Sequence, residues 1–167
     1  DSDCAGAMAS GWTLAGVRQS GRDPAEMELA KAAVKIWETL DLHLDAMTGY
    51  RQSGNLRLAR TEDETEVIRN LVYFQTVEGL PIELLDTQQA QKIAPALSNE
   101  ILLASWCPTD GHADPLRSVE GFKKAAERLG VTFQTNTTVT GIDTYMANGS
   151  RRFSAIETAK GSIVAGN

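Results

Sequence analysis

The chain has 167 residues, 42% of them hydrophobic, and a formal net charge of −6. That is about one domain's length, with enough apolar content for a core. Lys and Arg are scattered, which excludes the basic footprint of a nucleic-acid or anionic-membrane binder.

The opening residues 5–21 are rich in Gly, Ala and Ser without apolar periodicity, as in a loop where backbone must approach something closely. Asp23, Pro24 and Glu26 then suit the N-cap, first and third positions of a helix. Leu29, Ala32, Ala33, Ile36, Trp37, Leu40 and Leu44 follow at helical spacing, which predicts an apolar stripe about four turns long.

Residues 50–60 carry Leu56 and Leu58 in alternation with Arg57 and Ala59, the period of a half-buried strand. Thr61-Glu62-Asp63-Glu64 has the pattern of a capping box, with Val67, Ile68, Leu71 and Val72 as the stripe behind it and Gly79 as the stop. Asp86 caps a short helix that Pro95 ends, and residues 101–106 are apolar enough for a strand. Asp114-Pro115 opens a further helix whose face is Val119, Phe122, Ala126 and Leu129 and whose end is Gly130.

Beyond Gly130 the period changes from helical to alternating. Residues 131–134, 139–145 and 153–158 read as strands, with Asn148-Gly149 as a tight hairpin turn, and another strand starts at Ser162. On pattern alone the fold class is α+β.

No stretch approaches the roughly 20 apolar residues of a bilayer span, and the first residues lack the features of a secretory leader, so a cytoplasmic location is expected. Asn136-Thr137-Thr138 and Asn148-Gly149-Ser150 match the glycosylation pattern, which matters only in a secreted chain. Cys4 and Cys107 with His43 and His112 give too few ligands at usable spacing for a metal, and reduced thiols are expected. His112 has the pKa range of a general base, but it lies between an Asp-Gly turn and a helix start, which predicts a structural role.

Four segments in order carry a family resemblance: Ala9-Ser10-Gly11 with Ala15-Gly16-Val17-Arg18; Thr48-Gly49-Tyr50-Arg51-Gln52-Ser53-Gly54-Asn55-Leu56; Asp110-Gly111-His112-Ala113-Asp114-Pro115; and Val139-Thr140-Gly141-Ile142. Together they resemble the D-amino-acid-oxidase-like flavoproteins, in the branch of sarcosine oxidase β subunits, glycine oxidases and proline dehydrogenases. The resemblance implies FAD as cofactor, and oxidation of a small amino acid or N-methyl amino acid by hydride transfer to it.

It further implies an interleaved architecture, an FAD-binding Rossmann-like domain plus an antiparallel-sheet substrate domain. Residues 1–48 would belong to the FAD-binding domain, 49–108 to the substrate domain, and 109–167 to the FAD-binding domain again. Ser10, Gly11, Ala15, Gly16 and Val17 would face the flavin and Val139 the adenine, while Arg18 would pair with the substrate carboxylate through its two parallel donors. Trp12 and Met8 depart from the small residues common in that loop.

The glycine turn that anchors the pyrophosphate in such proteins is missing from this sequence. The expectation is therefore an internal segment that does not retain FAD and is inactive in isolation. The alternative is a non-catalytic module, or a subunit completed by a partner chain or a second copy across open apolar surfaces.

Overall fold

The structure, a computed structural model, describes residues 3–164. Residues 3–15 form the expected irregular loop, which leads into a two-residue strand, β1 (Gly16–Val17). The Asp23 side chain accepts a hydrogen bond from the Ala25 amide, and Pro24 opens a 3-10 turn ahead of α1 (Met27–Trp37). Glu26 does not reach back to complete a capping box, and its carboxylate lies 3.9 Å from the Arg22 guanidinium.

The predicted four-turn helix is broken at Glu38 and Thr39. It resumes as α2 (Leu40–Leu44), which Asp45 ends in a left-handed conformation with φ 48°. Its apolar sector is also rotated from the expected one. Met27 and Val34 are buried, whereas Leu29 and Ile36 are 76% and 56% exposed. Helical spacing identifies apolar sectors but cannot say which of two receives a neighbour.

Next come β2 (Asn55–Ala59), α3 (Glu62–Val77), β3 (Glu83–Leu85), α4 (Thr87–Ile93) and β4 (Leu103–Cys107). The strands form an antiparallel sheet in the order β2-β4-β3, with Ala59 opposite Leu103 and Leu85 opposite Ala104. One face packs Ala59, Leu103 and Cys107 against Ile68 and Val72 of α3 and Met27 of α1. The other packs Ala104 and Leu85 against Ala90 of α4, with Leu56 and Trp106 beside them. β2 itself stays half-buried, as its alternation suggests: Ala59 is buried and Leu56 partly so, while Leu58 is 38% exposed.

The capping box of α3 is formed: Thr61 Oγ1 accepts from the Glu64 amide at 3.2 Å, and Glu64 Oε2 accepts from the Arg60 and Thr61 amides at 2.7 and 3.2 Å. These two donors, Arg60 first, hold the Glu64 carboxyl below its ordinary pKa. Replacing Thr61 with Ala is expected to cost about 1 kcal/mol, measured as a lower urea midpoint at unchanged slope. Asp86 and Gln89 form a second box at α4, and Gly79, with φ 80°, closes the end of α3.

The chain then makes β5 (Gly111–His112) and α5 (Pro115–Arg128), capped by Asp114, whose Oδ1 accepts from the Arg117 amide at 3.0 Å. β5 pairs antiparallel with β1. Helix α5 buries Ser118 and Gly121 rather than its expected face, leaving Phe122 51% and Leu129 86% exposed. A Cβ on Gly121 would come within 3.2 Å of Ala46 and 3.3 Å of Leu44, so glycine there sets the close approach to the end of α2.

The last unit is a meander of β6 (Val139–Ala147), β7 (Ser150–Thr158) and β8 (Gly161–Val164). Asn148 and Gly149 turn between β6 and β7 with φ 50° and 74°, as their positive-φ tolerance predicts. Residues 131–134, expected as a strand, are irregular, because no neighbouring strand offers them a ladder. Of the final expected strand, residue 165 lies outside the described residues. No described helix is long and apolar enough to cross a membrane.

Candidate functional site

The glycine-rich loop lies on the first turns of α5. A Cβ on Gly11 would sit 2.0 Å from the Gly6 carbonyl oxygen and 2.9 Å from Leu116, so only a residue without a side chain allows this packing. Trp12 points away, 84% exposed, with its indole N–H donating to the Ala7 carbonyl at 3.1 Å.

Where the loop becomes β1 it is tied down by residues roughly ninety positions later in the chain. Gly16 pairs with His112 and Val17 with Gly111, and the Ala113 amide donates to Ala15 O at 3.0 Å. Asp110, fully buried, accepts from the Gln19 amide at 2.8 Å and from the Ser20 amide at 3.3 Å, and the Ser20 hydroxyl also donates to it. Arg51 bridges to His112 from the opposite side. The Asp-Gly-His-Ala-Asp segment is thus a node joining the loop, β2's approach and the start of α5.

Two adjoining concavities flank β1 and share Gly16, Val17 and Trp37 in their walls. The larger, about 430 Å³, adds Arg18 and Arg22 on one side and Leu29 and Ala33 of α1 on the other. The smaller, about 200 Å³, adds Ser10 and Ala15 from the loop and Val119 and Phe122 from α5. The exposed sectors of α1 and α5 therefore form the walls of this groove. Its floor includes Trp37, stacked at a tilt on Tyr50 with ring centroids 5.7 Å apart. Burial pushes the Tyr50 phenol above its ordinary pKa.

Of the residues singled out from sequence, Ser10, Ala15, Gly16, Val17 and Arg18 meet along this groove, and Gly11 supports the loop from beneath. Val139 does not join them: it is 55% exposed on β6 and lines neither concavity. Arg18 folds over Gly16, where a Cβ would lie 3.3 Å from its Nε, and among the described residues it has no ion-pair partner. His112 Nδ1 lies 3.0 Å from the Ser53 hydroxyl, a contact that braces the node.

Sequence reasoning missed Asp110, Gln75 and Trp37 as parts of this site. Gln75, buried on α3, accepts from the Gly21 amide at 3.1 Å and donates to Arg22 O at 3.4 Å. The hydrogen-bond partners of Asp110 and Gln75 lie more than fifty positions away, so no local pattern marks what these two residues hold. Among the described residues no three His, Cys, Asp or Glu side chains gather as a metal site. Cys4 is exposed and Cys107 buried, both as free thiols, and burial raises the Cys107 pKa.

The overall fold, in which a sheet covered on both faces is joined through one node to a glycine-rich loop, is similar to that of solved redox enzymes. The chain is similar to L-proline dehydrogenase from P. horikoshii, with 27% identity and a TM-score of 0.81 over 95% of this chain and 41% of that one. It also shares the fold of glycine oxidase from Bacillus cereus ATCC 14579, with a TM-score of 0.83 at 24% identity over 98% of this chain and 45% of that one. The class is that of oxidoreductases. Residues 1–166 match the family described as FAD dependent oxidoreductase, and the chain belongs to that family.

Among curated relatives, sarcosine oxidase subunit beta of Arthrobacter is 28% identical over 141 residues, covering 80% of this chain and 34% of that protein. The mouse mitochondrial pyruvate dehydrogenase phosphatase regulatory subunit is 25% identical over 162 residues, covering 95% of this chain and 18% of that protein. The chain thus spans less than half the length of the relatives it matches.

Proposed function

We propose that this chain supplies the flavin-facing loop and a carboxylate-binding arginine to an FAD-dependent enzyme that oxidises a small amino acid or N-methyl amino acid. The observation that carries the reading is Arg18, a guanidinium with no carboxylate partner among the described residues, in a concavity that opens onto the small-residue loop. A planar fork of donors, left unpaired beside apolar walls, suits a ligand with one carboxylate and a short hydrocarbon body. Sarcosine oxidase and proline dehydrogenase, by their names, act on such molecules.

The residues present fit one end of FAD. Ser10, Ala15, Gly16 and Val17 offer backbone and small side chains along a groove walled by Val119, Phe122 and Trp37, which suits a flat, largely apolar ring. When bound, the flavin would accept a hydride, two electrons with the hydrogen, from a substrate carbon–hydrogen bond beside nitrogen, as the carbon–nitrogen bond becomes an imine. The chain's own task is to hold the carboxylate at Arg18 and to present the carbon beside the loop. No acid–base side chain is required for that task, and the one carboxylate that lines the larger concavity, Glu26, lies 3.9 Å from the Arg22 guanidinium.

On this reading residues 1–48 and 109–167 belong to the FAD-binding domain and 49–108 to the substrate domain. The β1-β5 pairing joins the first and third segments, while β2-β4-β3 lies wholly within the second. Val139 would serve the adenine only through a part of the cofactor remote from the groove.

The test is an absorbance spectrum, from roughly 350 to 500 nm, after incubation with FAD and removal of free cofactor. The 167-residue chain is expected to come through colourless, because no GxGxxG turn is present to meet the pyrophosphate, while the complete polypeptide is expected to stay yellow. A stoichiometrically yellow 167-residue chain would show that the groove alone, or two copies of it, suffices.

A second reading follows from the mouse relative, which is named a regulatory subunit. Family membership fixes a fold and not a reaction. A complete polypeptide that is yellow yet leaves sarcosine, glycine and proline unoxidised would favour that non-catalytic role.

A further inference from the structure

Arg18 is flanked by two attachments to one distant segment. On its N-terminal side Val17 pairs with Gly111. On its C-terminal side the Gln19 amide donates to Asp110 Oδ1 at 2.8 Å, the Ser20 amide lies 3.3 Å from both carboxylate oxygens, and the Ser20 hydroxyl donates to Oδ2. The Gln19 side chain adds a further bond, donating to Thr109 Oγ1 at 2.7 Å.

The Asp110 side chain is fully buried, and among the described residues no cation pairs with it. A desolvated carboxylate satisfied only by neutral donors is costly as a way of filling space, and an apolar side chain would fill it more cheaply. What a carboxylate adds is two fixed acceptors that define the direction of several donors at once. Those donors are the two residues that follow Arg18.

We propose that Asp110 is a positioning residue for the carboxylate site: by clasping Gln19 and Ser20 it holds the Arg18 backbone so that the guanidinium stands ready over the concavity. Without the clasp, the segment after Arg18 gains freedom that a bound carboxylate must again remove. The inference rests on Arg18 being the carboxylate ligand.

The test uses the complete, flavin-loaded polypeptide with sodium acetate as the probe anion and acetamide as its neutral counterpart, binding being read from the flavin spectrum. Asp110→Asn is expected to weaken acetate by about tenfold or more, to leave acetamide unchanged, and to speed amide hydrogen exchange at Gln19 and Ser20. Arg18→Met in the same assay separates the two ideas. Acetate binding unaffected by Arg18→Met would remove the carboxylate reading itself. Acetate lost with Arg18→Met but kept with Asp110→Asn would leave that reading standing and overturn the positioning role. Where Asp110→Asn does not fold, Ser20→Ala carries the test, since it removes one donor and leaves the buried carboxylate two others. About threefold weaker acetate supports the clasp, and an unchanged acetate Kd overturns it.

Discussion

On the proposed reading, Arg18→Met in the complete flavin-loaded polypeptide is expected to raise KM for proline or sarcosine by about 10- to 100-fold, with a smaller fall in kcat. Methionine keeps the length and apolar stem that fold over Gly16, so the change removes charge and donors while disturbing packing little. A charge-assisted pair in a groove partly walled by Leu29, Ala33 and Trp37 is less screened than one in open water, which favours the upper part of that range. Because a carboxylate is bound alike in the ground and transition states, the loss belongs in KM. Arg18→Lys should recover only part of the affinity, since an ammonium lacks the fork of parallel donors. Steady-state kinetics with both substrates decide the matter. An unchanged KM would mean that Arg18 merely lines the groove, and the carboxylate ligand would then have to be sought elsewhere.

The second large effect is expected in the node beneath the groove. Gly111→Ala should destabilise the chain by about 3–5 kcal/mol, read from the urea midpoint. An added Cβ would lie 2.4 Å from the Arg51 carbonyl oxygen and 3.0 Å from the Tyr50 ring. The first of these neighbours is backbone held in the bridge to His112, so relief requires that bridge and the β1-β5 pair to separate. Gly54→Ala makes a useful comparison. Its Cβ would come within 1.8 Å of the Trp106 ring, a nominally worse clash, but a side chain can swing where a paired backbone cannot. Gly79 supplies the baseline: its φ is 80° with nothing within 4 Å of an added Cβ, so Ala there should cost only about 1 kcal/mol of conformational strain. The expected order is Gly111, then Gly54, then Gly79, and a Gly111 variant as mild as Gly79 would show that the node yields.

Much of the local structure was legible in the residues. The Thr61 and Glu64 box, the caps at Asp86 and Asp114, the stop at Gly79 and the Asn148-Gly149 turn all depend on chemistry within four positions, and each is present where the pattern put it. The flavoprotein family was legible too, because its small-residue loop and Asp-Gly turn recur in a fixed order along the chain. Less visible were β1, β3 and β5, strands of two or three residues that are too short to show a period. The strand expected at residues 131–134 erred in the other direction, since alternation there met no partner.

By itself, then, the sequence determined most helix starts and stops, the hairpin and the family, all carried by neighbours in the chain, and it singled out Arg18 and the loop residues as candidates. Only the tertiary structure decided which sectors of α1 and α5 are open, that these sectors wall one groove with the loop, and that Asp110 and Gln75 hold the arginine-bearing segment from far along the chain. The physical reason is that capping and turn preferences are settled within a few residues. The burial of a helix face, or the satisfaction of a buried carboxylate, depends on groups that come together only when the chain has folded.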